Sequence, residues 1–133
     1  MKALIVEDDK VSSTLLQGML SPWGEVETAG QGEEAFNKFC DAYSGAAPFD
    51  ILFLDLGLPE VDGYQALRAI REYEQGFGKF GSDQTKVVVL TGSKQPHDLF
   101  KAESFGCVAY LTKPLDRTRL LEELERLGFF SPK

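Results

Sequence analysis

Asp50-Ile51-Leu52-Phe53-Leu54-Asp55 decides how the chain is read. Ile51 to Leu54 is an unbroken apolar run with no polar face. A strand of that kind is covered on both sides, which places it inside a mostly parallel sheet. The run stops at a carboxylate, Asp55, and Leu56-Gly57-Leu58-Pro59 follows, where Gly and Pro end the strand. In open α/β sheets, ligands bind beyond the carboxyl ends of the strands, so Asp55 stands where this architecture places its chemistry. On this stretch alone, an acid that closes a strand and hydrogen-bonds to a turn is an equally good reading.

Working outward, the same grammar repeats. Lys2 to Val6 is a short apolar strand that runs into three acids, Glu7-Asp8-Asp9. Val11, Leu15, Leu16, Met19 and Leu20 then recur at helical spacing until Pro22 stops the helix. Asp8 or Asp9 is suited to cap it. Val26 to Ala29 is a short second strand, and Glu33 to Tyr43 a second helix with Ala35, Phe36, Phe39, Cys40 and Tyr43 on its apolar side. The central strand spans Phe49 to Asp55. Asp62-Gly63 signals a turn and a helix start, and Ala66, Leu67, Ile70 and Tyr73 form the stripe of a third helix. Arg68 and Glu72 can pair at i,i+4 on its outer face.

Gly76 to Asp83 is glycine-rich and lacks a Lys-Ser/Thr ending, so it reads as a surface connection and not a phosphate-binding loop. Val87 to Leu90 is a fourth strand ending at Thr91. Pro96 to Phe105 reads as a fourth helix ended by Gly106, with His97 a solvated residue near its start. Cys107 to Leu111 is a fifth strand. Asp116 caps a fifth helix with the stripe Leu120, Leu121, Leu124 and Leu127, closed by Gly128. This alternation predicts an α/β fold: a doubly wound, five-stranded parallel sheet with about five helices, in a single domain over residues 1–133.

Size and charge narrow the function. A chain of 133 residues suits one domain with its own core. A net charge of −7 with no basic block argues against direct nucleic-acid binding. Cys40 and Cys107 fall outside C-x-x-C or Cys/His spacings, and His97 is the single histidine, so zinc is not expected. Both cysteines read as small core residues in a reducing compartment. The first apolar run is too short for a signal peptide or membrane span, and the expected location is the cytoplasm.

The strand ends carry the functional signal. They offer Glu7, Asp8 and Asp9 after the first strand, Asp55 after the third, Thr91 after the fourth and Lys113 after the fifth. In a parallel sheet these ends share one edge. Carboxylates gathered there cannot all stay ionised without a cation. Hard oxygen donors without Cys or His suggest Mg²⁺. A hydroxyl and an ammonium beside them would hold a phosphoryl group. Taken singly, Lys113 reads as a surface turn, Thr91 as a strand-turn cap, Tyr110 as boundary packing and Trp23 as a packing residue.

Val6-Glu7-Asp8-Asp9, Leu54-Asp55, Leu58-Pro59-Glu60-Val61-Asp62-Gly63, Thr91-Gly92 and Lys113-Pro114 occur in this order. Together they resemble the receiver domain of two-component response regulators, the chemotaxis-regulator fold, over about Met1 to Leu127. The resemblance implies a flavodoxin-like fold and a phosphorylation-dependent signalling switch. Asp55 would be the phosphoacceptor. Asp8 and Asp55 would bind Mg²⁺ directly, Glu7 through water, and the Gly57 backbone carbonyl would supply another ligand. Lys113 would neutralise phosphoryl oxygens, positioned by a cis bond to Pro114. Thr91 would hydrogen-bond the phosphoryl group, with Gly92 small enough to leave it access, and Tyr110 would turn inward once Thr91 moved.

The implied partners are a histidine kinase or histidine phosphotransfer protein as donor. A downstream protein would dock on the face of the fourth helix, fifth strand and fifth helix, and a phosphorylation-dependent dimer is open. Such a receiver modifies itself and is not a turnover enzyme. The reading is of a stand-alone receiver with no output domain; a receiver belonging to a longer regulator is the alternative.

Two other classes fit less well. A haloacid-dehalogenase-like phosphatase also uses an Asp nucleophile and Mg²⁺, but it places a second Asp where Gly57 stands. A flavodoxin-like FMN protein would need a Ser/Thr-rich phosphate loop after the first strand, where Glu7-Asp8-Asp9 would repel the phosphate. Gly57 also departs from the receiver pattern, in which a larger residue is usual; Ala is more usual than Gly92. A bare Gly57 should leave the site open to water, so hydrolysis of the aspartyl phosphate is not expected to be strongly suppressed. Gly57→Met should then slow its decay, and equal decay rates in variant and wild type would refute the effect.

Overall fold

A computed structural model describes residues 1–55, 63–92 and 106–129. Five strands form one sheet in the order β2-β1-β3-β4-β5, with every neighbouring pair parallel. They are β1 (Lys2–Val6), β2 (Glu25–Ala29), β3 (Ile51–Asp55), β4 (Lys86–Thr91) and β5 (Ala109–Thr112). The described helices are α1 (Lys10–Leu20), α2 (Gly32–Ser44), α3 (Gly63–Gly76) and a C-terminal helix (Arg117–Arg126). The expected helix over 96–105, and with it His97, lies outside the described residues.

Apolar strand runs become buried strands because the two faces take alternate residues. Leu4, Val6, Leu52, Leu54, Val87 and Val89 join one core cluster, with Ala35 and Phe39 of α2 and Leu67 and Ile70 of α3. Ala3, Ile5, Ile51, Phe53, Val88 and Leu90 join the other, with Leu16 and Leu20 of α1 and Leu120 and Leu124 of the C-terminal helix. All five residues of β3 are buried, as its unbroken apolar run requires. β2 stands at the edge, and its burial alternates from exposed Glu25 to buried Ala29.

The ends of the helices follow local chemistry. Asp9 is the α1 N-cap: its Oδ1 accepts from Val11 N–H at 3.1 Å and its Oδ2 from the Ser12 hydroxyl at 2.8 Å. Pro22 does not leave a plain loop; Ser21–Trp23 tighten into a 3₁₀ turn behind α1. Gly24 follows, where a Cβ would lie 1.9 Å from the Met1 carbonyl oxygen, so only glycine lets β2 begin beside β1. Asp116 caps the C-terminal helix by accepting from Thr118 N–H at 2.9 Å. Arg68 Nε donates to Glu72 Oε1 at 3.1 Å on the outer face of α3. Cys40 and Cys107 form no disulfide and are half-buried, with Cys107 packed against the core cluster of α2 and α3.

An aromatic cluster closes the seam between α2 and α3. The Tyr73 ring meets Phe36 edge-on at 5.9 Å, Phe39 at 6.3 Å and Tyr43 at 5.6 Å. Phe39 is fully buried within it. Phe39→Ala should therefore cost about 3–5 kcal/mol in urea unfolding. Val11→Ala, at a position 69% exposed, should stay within about 0.5 kcal/mol of wild type.

Candidate functional site

The parallel register gathers the carboxyl ends of β1, β3, β4 and β5 at one edge. β1 and β3 are neighbours, with Val6 opposite Leu54, so Glu7 and Asp55 emerge side by side. Strand order reverses there, since β1 leads outward to β2 on one side while β3 leads to β4 and β5 on the other. Such a switch point opens a crevice in doubly wound sheets. β4 sets Thr91 opposite Thr112, and Lys113 N–H donates to the Thr91 carbonyl at 2.8 Å. Lys113 is thereby aimed back across the sheet end.

Among the described residues, four charged side chains meet in that crevice. Oxygens of Glu7, Asp8 and Asp55 lie within 4.8 Å of one another. Lys113 Nζ stands 2.6 Å from Glu7 Oε2 and 3.2 Å from Asp55 Oδ2. Glu7 and Asp55 are buried, at 3% and 7% exposure, while Asp8 is open to solvent. Glu7 is fixed at both ends. Its N–H donates to the Ala29 carbonyl at 3.0 Å, and its Oε1 accepts from Asp9 N–H at 3.1 Å. Asp9 itself turns to α1 as the cap, and the Ser12 hydroxyl with the Val11 N–H holds its carboxyl below the ordinary aspartate value.

Burial first, and the neighbouring charges after it, show in the titration. Burial pushes the Glu7 carboxyl up from 4.5 to about 7; Asp55 adds to the rise, against the pull of the Lys113 ammonium. For Lys113, burial alone would lower the value, but Glu7 and Asp55 outweigh it and raise the ammonium above the ordinary lysine range. Three carboxylates facing one ammonium are a hard, oxygen-only donor set with charge to spare. Glu7, Asp8 and Asp55 therefore fit a Mg²⁺ ion better than a softer metal.

The other sequence-predicted residues are also placed. Thr91 is buried at the end of β4. A Cβ at Gly92 would meet nothing within 4 Å, so Gly leaves open space beside Thr91. Tyr110 is half-buried on β5, against the cluster shared by α2 and α3. The Lys113–Pro114 peptide is cis. Gly57 lies outside the described residues. One feature escaped the sequence reading: a cleft of about 270 Å³ beside Glu7 and Asp8, lined by Lys10, Ser13, Thr14 and Gln17 of α1 and by Thr28 to Gly30. Its signal is the polar i, i+3, i+4, i+7 row that Lys10, Ser13, Thr14 and Gln17 form on α1.

Residues 3–125 match the response regulator receiver domain family. The chain is 37% identical over 132 residues to a probable histidine kinase 2 of Oryza sativa, covering 92% of this chain and 12% of that protein. It thus spans about an eighth of that relative's length. The receiver domain of the Saccharomyces cerevisiae response regulator Ssk1, solved with the phosphotransfer protein Ypd1, superposes with a TM-score of 0.79 at 30% identity, covering 96% of this chain and 88% of that one. The receiver domain of the Arabidopsis thaliana histidine kinase CKI1, solved with Mg²⁺ and BeF₃⁻, gives a TM-score of 0.77 at 28% identity, covering 94% and 89%. The chain is a member of the response regulator receiver family, a class of two-component signalling modules. Among the described residues, no helix is long and apolar enough to cross a membrane.

The Glu7 titration has a definite sign. Its folded value lies above its unfolded one, so the folded protein holds that proton more tightly. The stability this contributes is complete below pH 4.5 and is lost as pH rises through about 7. Without divalent cation, Glu7→Gln should gain stability relative to wild type across that window in urea unfolding. A stability difference that does not change with pH there would contradict the buried titration.

Proposed function

We propose that the protein is a phosphorylation-dependent signalling switch whose phosphoacceptor is Asp55. The observation that carries this reading is Lys113 Nζ held 3.2 Å from Asp55 and 2.6 Å from Glu7 at the switch point of the sheet. A histidine kinase or phosphotransfer protein is the donor. An Asp55 carboxylate oxygen attacks phosphorus, the P–N bond to the donor histidine breaks, and the histidine nitrogen leaves with the electron pair. Small acyl phosphates donate in the same way, with an acyl carboxylate leaving.

The chain's own residues divide the work. Glu7, Asp8 and Asp55 would hold Mg²⁺, with Asp8 and Asp55 the expected direct ligands. When bound, that ion supplies charge for the phosphoryl oxygens during transfer. Lys113 supplies a second positive charge, fixed in place by its own N–H on Thr91. Thr91 hydrogen-bonds the phosphoryl group and Gly92 leaves it access. Tyr110, behind Thr91 on the next strand, turns inward and alters the face that β5 and the C-terminal helix present to a downstream protein. The protein accepts a phosphoryl group and loses it to water without turning over a separate substrate. The histidine-kinase relative carries such a sequence as one part of a longer chain, and the same chemistry would serve a receiver in that setting.

Incubation with Mg²⁺ and acetyl phosphate, read by intact mass, should show one added phosphoryl group. Asp55→Ala or chelation of Mg²⁺ should abolish it, and Lys113→Ala should slow it roughly 10²-fold. Added mass that survives Asp55→Ala would place the acceptor elsewhere, and no added mass in the wild type would overturn the reading.

A further inference from the structure

A second buried charge pair lies far from the crevice, where the strands begin. Arg71 on α3 is 6% exposed and Glu74 is fully buried. Arg71 Nη1 donates to Glu74 Oε1 at 2.8 Å and to the Thr85 carbonyl at 2.9 Å. Glu74 Oε2 accepts from Thr85 N–H at 2.7 Å, and the Thr85 hydroxyl donates to the Phe49 carbonyl at 3.0 Å. Arg71 Nη2 reaches the Gly106 carbonyl at 3.4 Å. Thr85 directly precedes β4, and Gly106 opens the short lead into β5. One guanidinium therefore links the entries of the two strands that carry Thr91, Tyr110 and Lys113.

Burying an ion pair of this kind costs desolvation of both charges, which the pairing and the surrounding hydrogen bonds must offset. Gly106 has φ +78, and a Cβ there would lie 3.7 Å from Arg71 Nη2. The planar fork of arginine can bond two carbonyls and a carboxylate together, which the point charge of lysine cannot. We propose that Arg71 is a positioning residue for the switch: it locks the entry of β5 to the entry of β4, so that phosphorylation moves Tyr110 against a fixed base. The inference rests on the phosphoacceptor reading above. Without the lock, β5 would shift along with Tyr110 and the change at Thr91 would be spread over the strand and not delivered to one side chain.

The test compares wild type, Arg71→Lys and Gly106→Ala by NMR of the full chain, with and without Mg²⁺ and beryllofluoride. In the wild type, Tyr110 ring signals should shift while the Thr85 and Cys107 amides hold still. Arg71→Lys should take up phosphoryl groups from acetyl phosphate at the wild-type rate, yet lose most of the Tyr110 shift. Its Cys107 and Val108 amides should exchange faster with solvent. Gly106→Ala disturbs the same junction from the β5 side while keeping both Arg71 and Glu74, and should do likewise; it decides the matter if the Arg71 variant fails to fold. A full Tyr110 shift in a folded variant would overturn the proposal, as would a wild type that gains phosphoryl mass with no Tyr110 shift. A wild type that gains no mass would overturn the phosphoacceptor reading, and the role of Arg71 with it.

Discussion

The contact on which the site depends is the Lys113 ammonium set between two buried carboxylates, 2.6 Å from Glu7 and 3.2 Å from Asp55. Two acids withdrawn from water at neighbouring strand ends repel each other, and a low-dielectric surround sharpens that repulsion. The ammonium offsets part of it. What remains is expressed as a Glu7 carboxyl that titrates near 7, held there first by its burial. Asp8 adds a third carboxylate from the solvent side. Among the described residues the crevice thus holds more negative than positive charge, a setting that suits a divalent cation.

That contact is a product of topology. Lys113 lies 58 residues from Asp55 in the chain, and the two meet because the sheet order brings β1, β3, β4 and β5 to one edge in parallel. The β4–β5 register fixes Thr112 beside Thr91, and the Lys113 N–H bond to Thr91 extends the ladder one step past the strand. Sliding β5 by one residue would turn Tyr110 to the α1 side of the sheet and withdraw Lys113 from Glu7. The hydrophobic alternation of Ala109 and Leu111 into one core, with Tyr110 against the other, forbids that slip.

Much of this was legible in the chain. The apolar runs of β1, β3 and β4 have no exposed face, and such runs can only be interior strands. Asp116 was legible as a cap, and Asp9 as one of two candidates with Asp8, because each stands before an apolar stripe of helical period. Strand limits differed by one or two residues: β3 begins at Ile51 and not Phe49, β4 takes in Lys86 and Thr91, and β5 starts at Ala109 and not Cys107. Backbone pairing decides those limits, and hydrophobicity does not report it. Cys40 and Cys107 looked like core residues from their neighbours; both are half-buried, and Cys107 packs against the core cluster from its margin. Arg71 and Glu74 were invisible for a plainer reason. On a helix with the exposed pair Arg68 and Glu72, a further Arg and Glu read as more solvated surface, and nothing local says that β4 begins above them.

The two buried charge clusters show how one physical cost serves two ends. At the start of the strands, Arg71 faces Glu74 one to one, and backbone groups of Thr85 and Gly106 add hydrogen bonds to the pair. Such a cluster is neutral, and removing either partner leaves an uncompensated charge; it resists change. At the far end, three carboxylates meet one ammonium, and one of the three is open to water. Among the described residues that cluster holds more negative than positive charge, so protons and cations act on it directly. β4 and β5 run from the first cluster to the second and span no more than six residues each. A strand held at its start by a paired, hydrogen-bonded cluster, and ended by one with charge unbalanced among the described residues, concentrates any change at its carboxyl end. There Thr91 and Lys113 stand.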